Sequence, residues 1–199
     1  MPFLKEQIEL INQHLKSGAL KDGRFQVGDF NALARLAIKV DGNSKATLPV
    51  VMNRDYEAQW VGIDDQKPIL VYHRKLTSQY SSAQKQQYGG GKNTLNEVSD
   101  MLMVVYANQN LIKLSHEQLE AQIITGFPDV IQKDLISPYG LSLMHVELTN
   151  SSVDSEQVFA LEYRNVPFRL APEDILLSIR YKILTQFRKN CYDFCATCE

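Results

Sequence analysis

Three thiols crowd one end of the sequence. Cys191, Cys195 and Cys198 are spaced by four and three residues. Thiolates spaced in this way could ligate zinc, with a histidine or carboxylate as fourth donor. The same spacing sets all three on one face of a helix, continued backwards by Phe187 and Ile183. On such a face cysteine packs as a small hydrophobe. A redox couple or an intersubunit disulfide is a third use. Cysteines confined to a tail cannot build a disulfide framework across a fold.

A phosphate-binding loop is the next chemistry to test, at Gly89, Gly90, Gly91 and Lys92. That loop needs a glycine six residues before the lysine, where Gln86 stands, and a hydroxyl residue after it, where Asn93 stands. The segment fails on both counts. No Gly-x-Ser-x-Gly nucleophile elbow occurs. His14, His73, His116 and His145 are widely separated. Ser115 beside His116 is explained as a helix start, and Asp64-Asp65 before Pro68 as a turn between strands. Trp60 and the tyrosines at 56, 72, 80, 88 and 106 fall in or beside strand-like runs, where aromatic residues serve packing. Stacking on single-stranded nucleic acid would call for an accompanying basic groove.

Charge gives no such groove. The chain has 21 basic and 23 acidic residues, a net charge of −2, so broad attraction to phosphate is not expected. No run reaches the ~20 apolar residues that cross a bilayer. The first residues, Met1 to Gln13, interrupt their apolar pattern with charges, unlike a secretory leader. Synthesis in the cytoplasm and no membrane partner are the expectations. At 199 residues and 44% hydrophobic content, one domain with protruding loops is expected, able to fold without metal or disulfide.

The elements that would position any site follow from periodicity. Leu4, Ile8, Ile11 and Leu15 recur at helical spacing, and Gly18 follows as a cap, predicting a helix over 3–17. Leu36, Ile38 and Val40 alternate before the turn signal at 41–43, predicting a strand, although residues 31–37 also suit a short helix. Further strands are expected at 48–53, 57–63, about 68–78 and about 95–107. Ser115 and Gln118 form a capping box for a helix over 115–125, stopped by Gly126 and Pro128. Strands are then expected at 141–148, 157–163, 166–170 and 175–184, the last a clean alternation from Leu177 to Ile183.

Between two of these strands lies a polar stretch, 78–93, nearly devoid of aliphatic residues and carrying three consecutive glycines. Such a composition cannot bury enough surface to order itself against a core. It is read as the flexible tip of a long β-hairpin at 79–93, and Tyr80, Tyr88, Gly89, Gly90, Gly91 and Lys92 are its candidate contact residues. The expected class is α+β: a mainly antiparallel sheet packed by two amphipathic helices, with a long protruding hairpin and a tail from 187 to 199.

This order resembles the tail-terminator and neck-ring proteins of tailed bacteriophages. The resemblance runs from about Phe3 to Leu184. It is carried by the Leu4–Leu15 stripe, the hairpin flanking Gly89–Gly91, the Ser115–Gly126 helix and the final Ile175–Leu184 strand. It implies a homo-oligomeric ring in a virion, without catalysis, docked to other neck, tail or portal-associated proteins. DNA would meet it only in passing through the lumen. No cofactor is expected. A small protein-binding adaptor of bacterial or mobile-element origin and a zinc-binding protein using Cys191, Cys195 and Cys198 are the alternative readings.

Overall fold

The computed structural model describes residues 2–17, 30–52, 57–64, 66–82, 94–130, 141–150, 155–166 and 170–188. Within them, Leu4, Ile8, Ile11 and Leu15 form the buried stripe of α1 (Pro2–Ser17), as their spacing predicts. This stripe lies on a seven-stranded sheet of order β3-β2-β1-β4-β5-β7-β6. The strands are β1 (Phe30–Asp41), β2 (Ser44–Met52), β3 (Ala58–Trp60), β4 (Ile69–Ser82), β5 (Thr94–Asn108), β6 (Leu141–Asn150) and β7 (Asp174–Arg188). Every neighbouring pair is antiparallel except β1 and β4, which run parallel. The expected α+β class with a mainly antiparallel sheet is therefore what the chain adopts.

The unbroken apolar run at 101–107 has a simple cause. Both faces of β5 are covered, so side chains pointing either way are buried. Met101, Met103 and Val105 pack with Ile179, Leu177 and α1, beside Leu119 and Ile123 of α3 (His116–Val130). Leu102, Val104 and Tyr106 pack on the opposite face with Tyr72 and Leu176, against Phe159 and Tyr163 at the end of α4 (Ser155–Glu162). A four-residue α2 (Gln109–Ile112) turns the chain between β5 and α3.

Several local expectations change. Residues 157–163 read as a strand, but 155–162 form α4. Phe159 and Tyr163, four positions apart, stack with ring centroids 5.1 Å apart, and the Tyr163 amide donates to the Phe159 carbonyl. Helical spacing of the buried residues outweighs their β propensity. Val166 and Leu170 lie in no strand, and 167–169 fall outside the described residues. In 57–63 only Ala58–Trp60 pairs. Residues 31–37 are strand rather than helix, because β1 ladders with β2 through a two-residue turn whose Gly42 has φ +57°. Two helices beyond the expected pair, α2 and α4, are present. The α3 helix runs on through Gly126 and Pro128 to Val130.

The expected hairpin strands β4 and β5 pair from Ile69 opposite Ala107 to Ser82 opposite Leu95, and the turn between them lies outside the described residues. β7 accompanies β5 as far as Arg188 opposite Thr94, so over this length the two strands are flanked by a third. The tail expected from 187 correspondingly starts inside β7.

Candidate functional site

β1 and β4 begin as neighbours and part. Phe30 pairs with Val71, Leu33 with His73 and Ala34 with Arg74, and there the ladder stops. Both strands continue, β1 to Asp41 and β4 to Ser82. The cause sits on β4, where the register with β5 slips between Lys75 and Thr77. An extra residue at a bulge bends its strand and increases the local twist. The result is a fork holding a cleft of about 400 Å³, lined by residues 33–36 of β1 and 74–78 of β4.

Hydrogen-bond parity shows what the β1 wall presents. The Thr47 amide donates outward to the Arg164 carbonyl, and the Pro49 carbonyl accepts outward from Val61. Thr47 stands opposite Ile38 and Pro49 opposite Leu36. Residues opposite one another in an antiparallel pair either exchange both hydrogen bonds or neither. The N–H and C=O groups of Leu36, Ile38 and Val40 therefore point into the fork, and β1 and β4 form no ladder there. Their side chains are exposed too, at 38%, 65% and 61%. An aliphatic strand margin with open backbone groups is a template for pairing with another chain.

The two faces of this margin differ. Ala34, which shares its face with Leu36, Ile38 and Val40, packs in the cluster under α4. The other face of β1 carries Arg35, Ala37 and Lys39. Arg35 and Lys39 are exposed and make no ion pair among the described residues. The outer margin of β2, in contrast, is closed by β3, by Arg164 and by Asn165, whose side-chain amide donates to the Lys45 carbonyl at 3.1 Å.

Two buried carboxylates brace the base of the fork. Glu162 of α4 accepts from the Tyr72 hydroxyl at 2.6 Å and meets Arg74 Nε at 3.0 Å. The arginine contact lacks the alignment of a hydrogen bond, so it acts by charge rather than direction. Burial raises the Glu162 pKa, opposed by the Tyr72 hydrogen bond and the Arg74 charge. Burial likewise raises the Tyr72 and Tyr163 pKa values, reinforced at Tyr72 by the charges of Tyr163 and Glu162. On the opposite face, Glu97 Oε1 accepts from Lys75 at 2.8 Å, Tyr80 at 3.1 Å and Ser99 at 3.2 Å.

Of the contact residues expected at the hairpin tip, Tyr80 is thus an exposed residue tethered to Glu97. Tyr88, Gly89, Gly90, Gly91 and Lys92 lie outside the described residues, as do Cys191, Cys195 and Cys198. Among the described residues no cluster of three histidine, cysteine, aspartate or glutamate side chains could hold a metal ion. Asp64 accepts from the Gln66 amide in a turn. The capping box is present, with Gln118 N donating to Ser115 Oγ and Ser115 N to Gln118 Oε1. His73 is fully buried between Asn12 and Tyr181.

The fork itself was not expected. Alternation at 36, 38 and 40 reads as a face turned to the core, and a bulge one strand away has no signature at β1. Glu162 could have been found: Phe159, Glu162 and Tyr163 stand at helical spacing. Comparison with protein-family models, curated proteins and solved structures gives no match. No described helix is long and apolar enough to cross a membrane.

Proposed function

We propose that this chain is a structural subunit that works by joining other chains, within a homo-oligomeric ring of a bacteriophage neck or tail. The observation that supports joining is the fork, where Leu36, Ile38 and Val40 offer open backbone groups and exposed aliphatic side chains together. A margin of this kind is costly to leave bare, because it pairs with any compatible strand. Burying it against another chain adds main-chain hydrogen bonds and apolar contact at once.

The ring and its setting are supported by element order. An amphipathic helix leads into strands, two long strands follow, and α3 packs across the sheet before the closing strand, as in the neck and tail rings the sequence resembles. A near-neutral charge suits a lumen that lets DNA slide.

Mass photometry of the isolated chain over a range of concentrations, with electron microscopy of the same samples, tests this reading. Discrete large oligomers, or assembly on addition of a partner ring, are the expected result. A monomer under every condition would remove the ring, leaving a monomeric adaptor as the better description.

A further inference from the structure

The fork constrains what can enter it. A folded sheet edge arrives with its own layers of helices and neighbouring strands, whereas this cleft lies between two strands of one sheet and narrows to the Ala34–Arg74 pair. A single extended segment is the shape that fits. Because β1 and β4 run parallel, a segment antiparallel to one is antiparallel to both, the more favourable ladder on each side.

Cross-strand neighbours then set its side chains. On the α4 face it would lie beside Leu36, Ile38 and Val40, which pair best with aliphatic residues. On the α1 face it would lie beside Arg35 and Lys39, exposed cations without ion-pair partners among the described residues. Lys75, on the opposite wall, is already held by Glu97. Acidic residues alternating with aliphatic ones satisfy both faces.

We infer that the fork is a strand acceptor for an acidic, aliphatic-alternating extended segment of a different protein. This rests on the reading of the chain as a joining subunit, but not on the ring. Among the described residues, both edge strands of a second copy are already part of a sheet, β3 bound to β2 and β6 to β7.

The probe is a synthetic nine-residue peptide alternating valine with glutamate, beside a control with lysine for glutamate. Binding is read by calorimetry, and amide hydrogen exchange is followed along 35–41. The acidic peptide should bind at least about tenfold more tightly than the lysine peptide, a gap that narrows with salt. Arg35→Glu should reverse the preference. Ile38→Pro should abolish binding with the melting temperature little changed, because its N–H faces the fork and proline is tolerated on such an edge. Equal binding of both peptides, or unaltered binding by Ile38→Pro, overturns the proposal. So does finding the Leu36, Ile38 and Val40 amides of the isolated chain already protected, by its own residues 189–199 or by a second copy. Peptide binding by a strict monomer would uphold the acceptor and sink the ring. Rings that bind neither peptide would do the reverse.

Discussion

Asn12 of α1 and His73 of β4, 61 positions apart, meet at 2.8 Å between Asn12 Oδ1 and His73 Nε2. Because a carbonyl oxygen only accepts, His73 carries its proton on Nε2 and receives the Tyr181 hydroxyl on Nδ1 at 2.8 Å. The imidazole is neutral and both nitrogens are satisfied. The three residues pin a helix to two strands at one fixed register, which apolar contact alone would leave free to slide.

Acid should therefore weaken the fold. Burial lowers the His73 pKa to about 3, against 6.5 for the free side chain. Below pH 6.5 the unfolded chain takes up a proton that the folded chain refuses, so stability falls as pH drops from 6.5 towards 3. The full effect is on the order of 4–5 kcal/mol. Glu162, whose pKa is raised, acts in the opposite sense: stability is lost as pH rises through its folded value. Urea unfolding of the protein and of His73→Gln at pH 7, 5 and 4 separates the two. The difference between their stabilities should shrink with falling pH, and parallel profiles would refute the role given to His73.

Tyr181→Phe should cost about 1–3 kcal/mol, because it leaves the buried Nδ1 of His73 without its donor. The same variant should raise the His73 pKa little, since burial is the cause of its depression. A change well under 0.5 kcal/mol in urea unfolding would mean that the nitrogen finds another partner.

Arg74→Met should destabilise by roughly 2–4 kcal/mol at pH 8, by leaving the Glu162 carboxylate with one hydrogen bond and no countercharge. Lower pH should recover part of this, because protonation of Glu162 removes the uncompensated charge. The variant should thus be closer to the parent at pH 5 than at pH 8. A pH-independent loss would point to lost packing of the arginine stem instead.

What the sequence made legible follows from where each signal is local. The α1 stripe, the capping box at Ser115 and Gln118, the turn at Gly42 and the alternation in β7 are each set within a few residues. The fork is not. It arises because a bulge near Leu76 bends β4 away from a strand that precedes it by more than thirty residues. Leu36, Ile38 and Val40 carry a core pattern and face outward only because their expected neighbour has departed. α4 is obscured for a different reason: Val158, Phe159 and Tyr163 favour strands by type, and only their spacing favours the helix.

The closed margin of the β1–β2 pair rests on a residue in the left-handed conformation. Asn165 adopts φ +61° and donates through Nδ2 to the Lys45 carbonyl, while the adjacent Arg164 carbonyl takes the Thr47 amide. A left-handed backbone is tolerated by asparagine and glycine but strains a β-branched residue. Asn165→Gly should therefore cost only the side-chain bond, within about 1 kcal/mol, and Asn165→Val roughly 1–2 kcal/mol more. Amide exchange gives the sharper readout. In the parent, Thr47 should be protected and Ile38, directly opposite it, should exchange freely. Asn165→Val should release Thr47 and leave Ile38 unchanged. If Thr47 and Ile38 exchange at the same rate in the parent, the two margins of the β1–β2 pair do not differ as described, and the fork is not open.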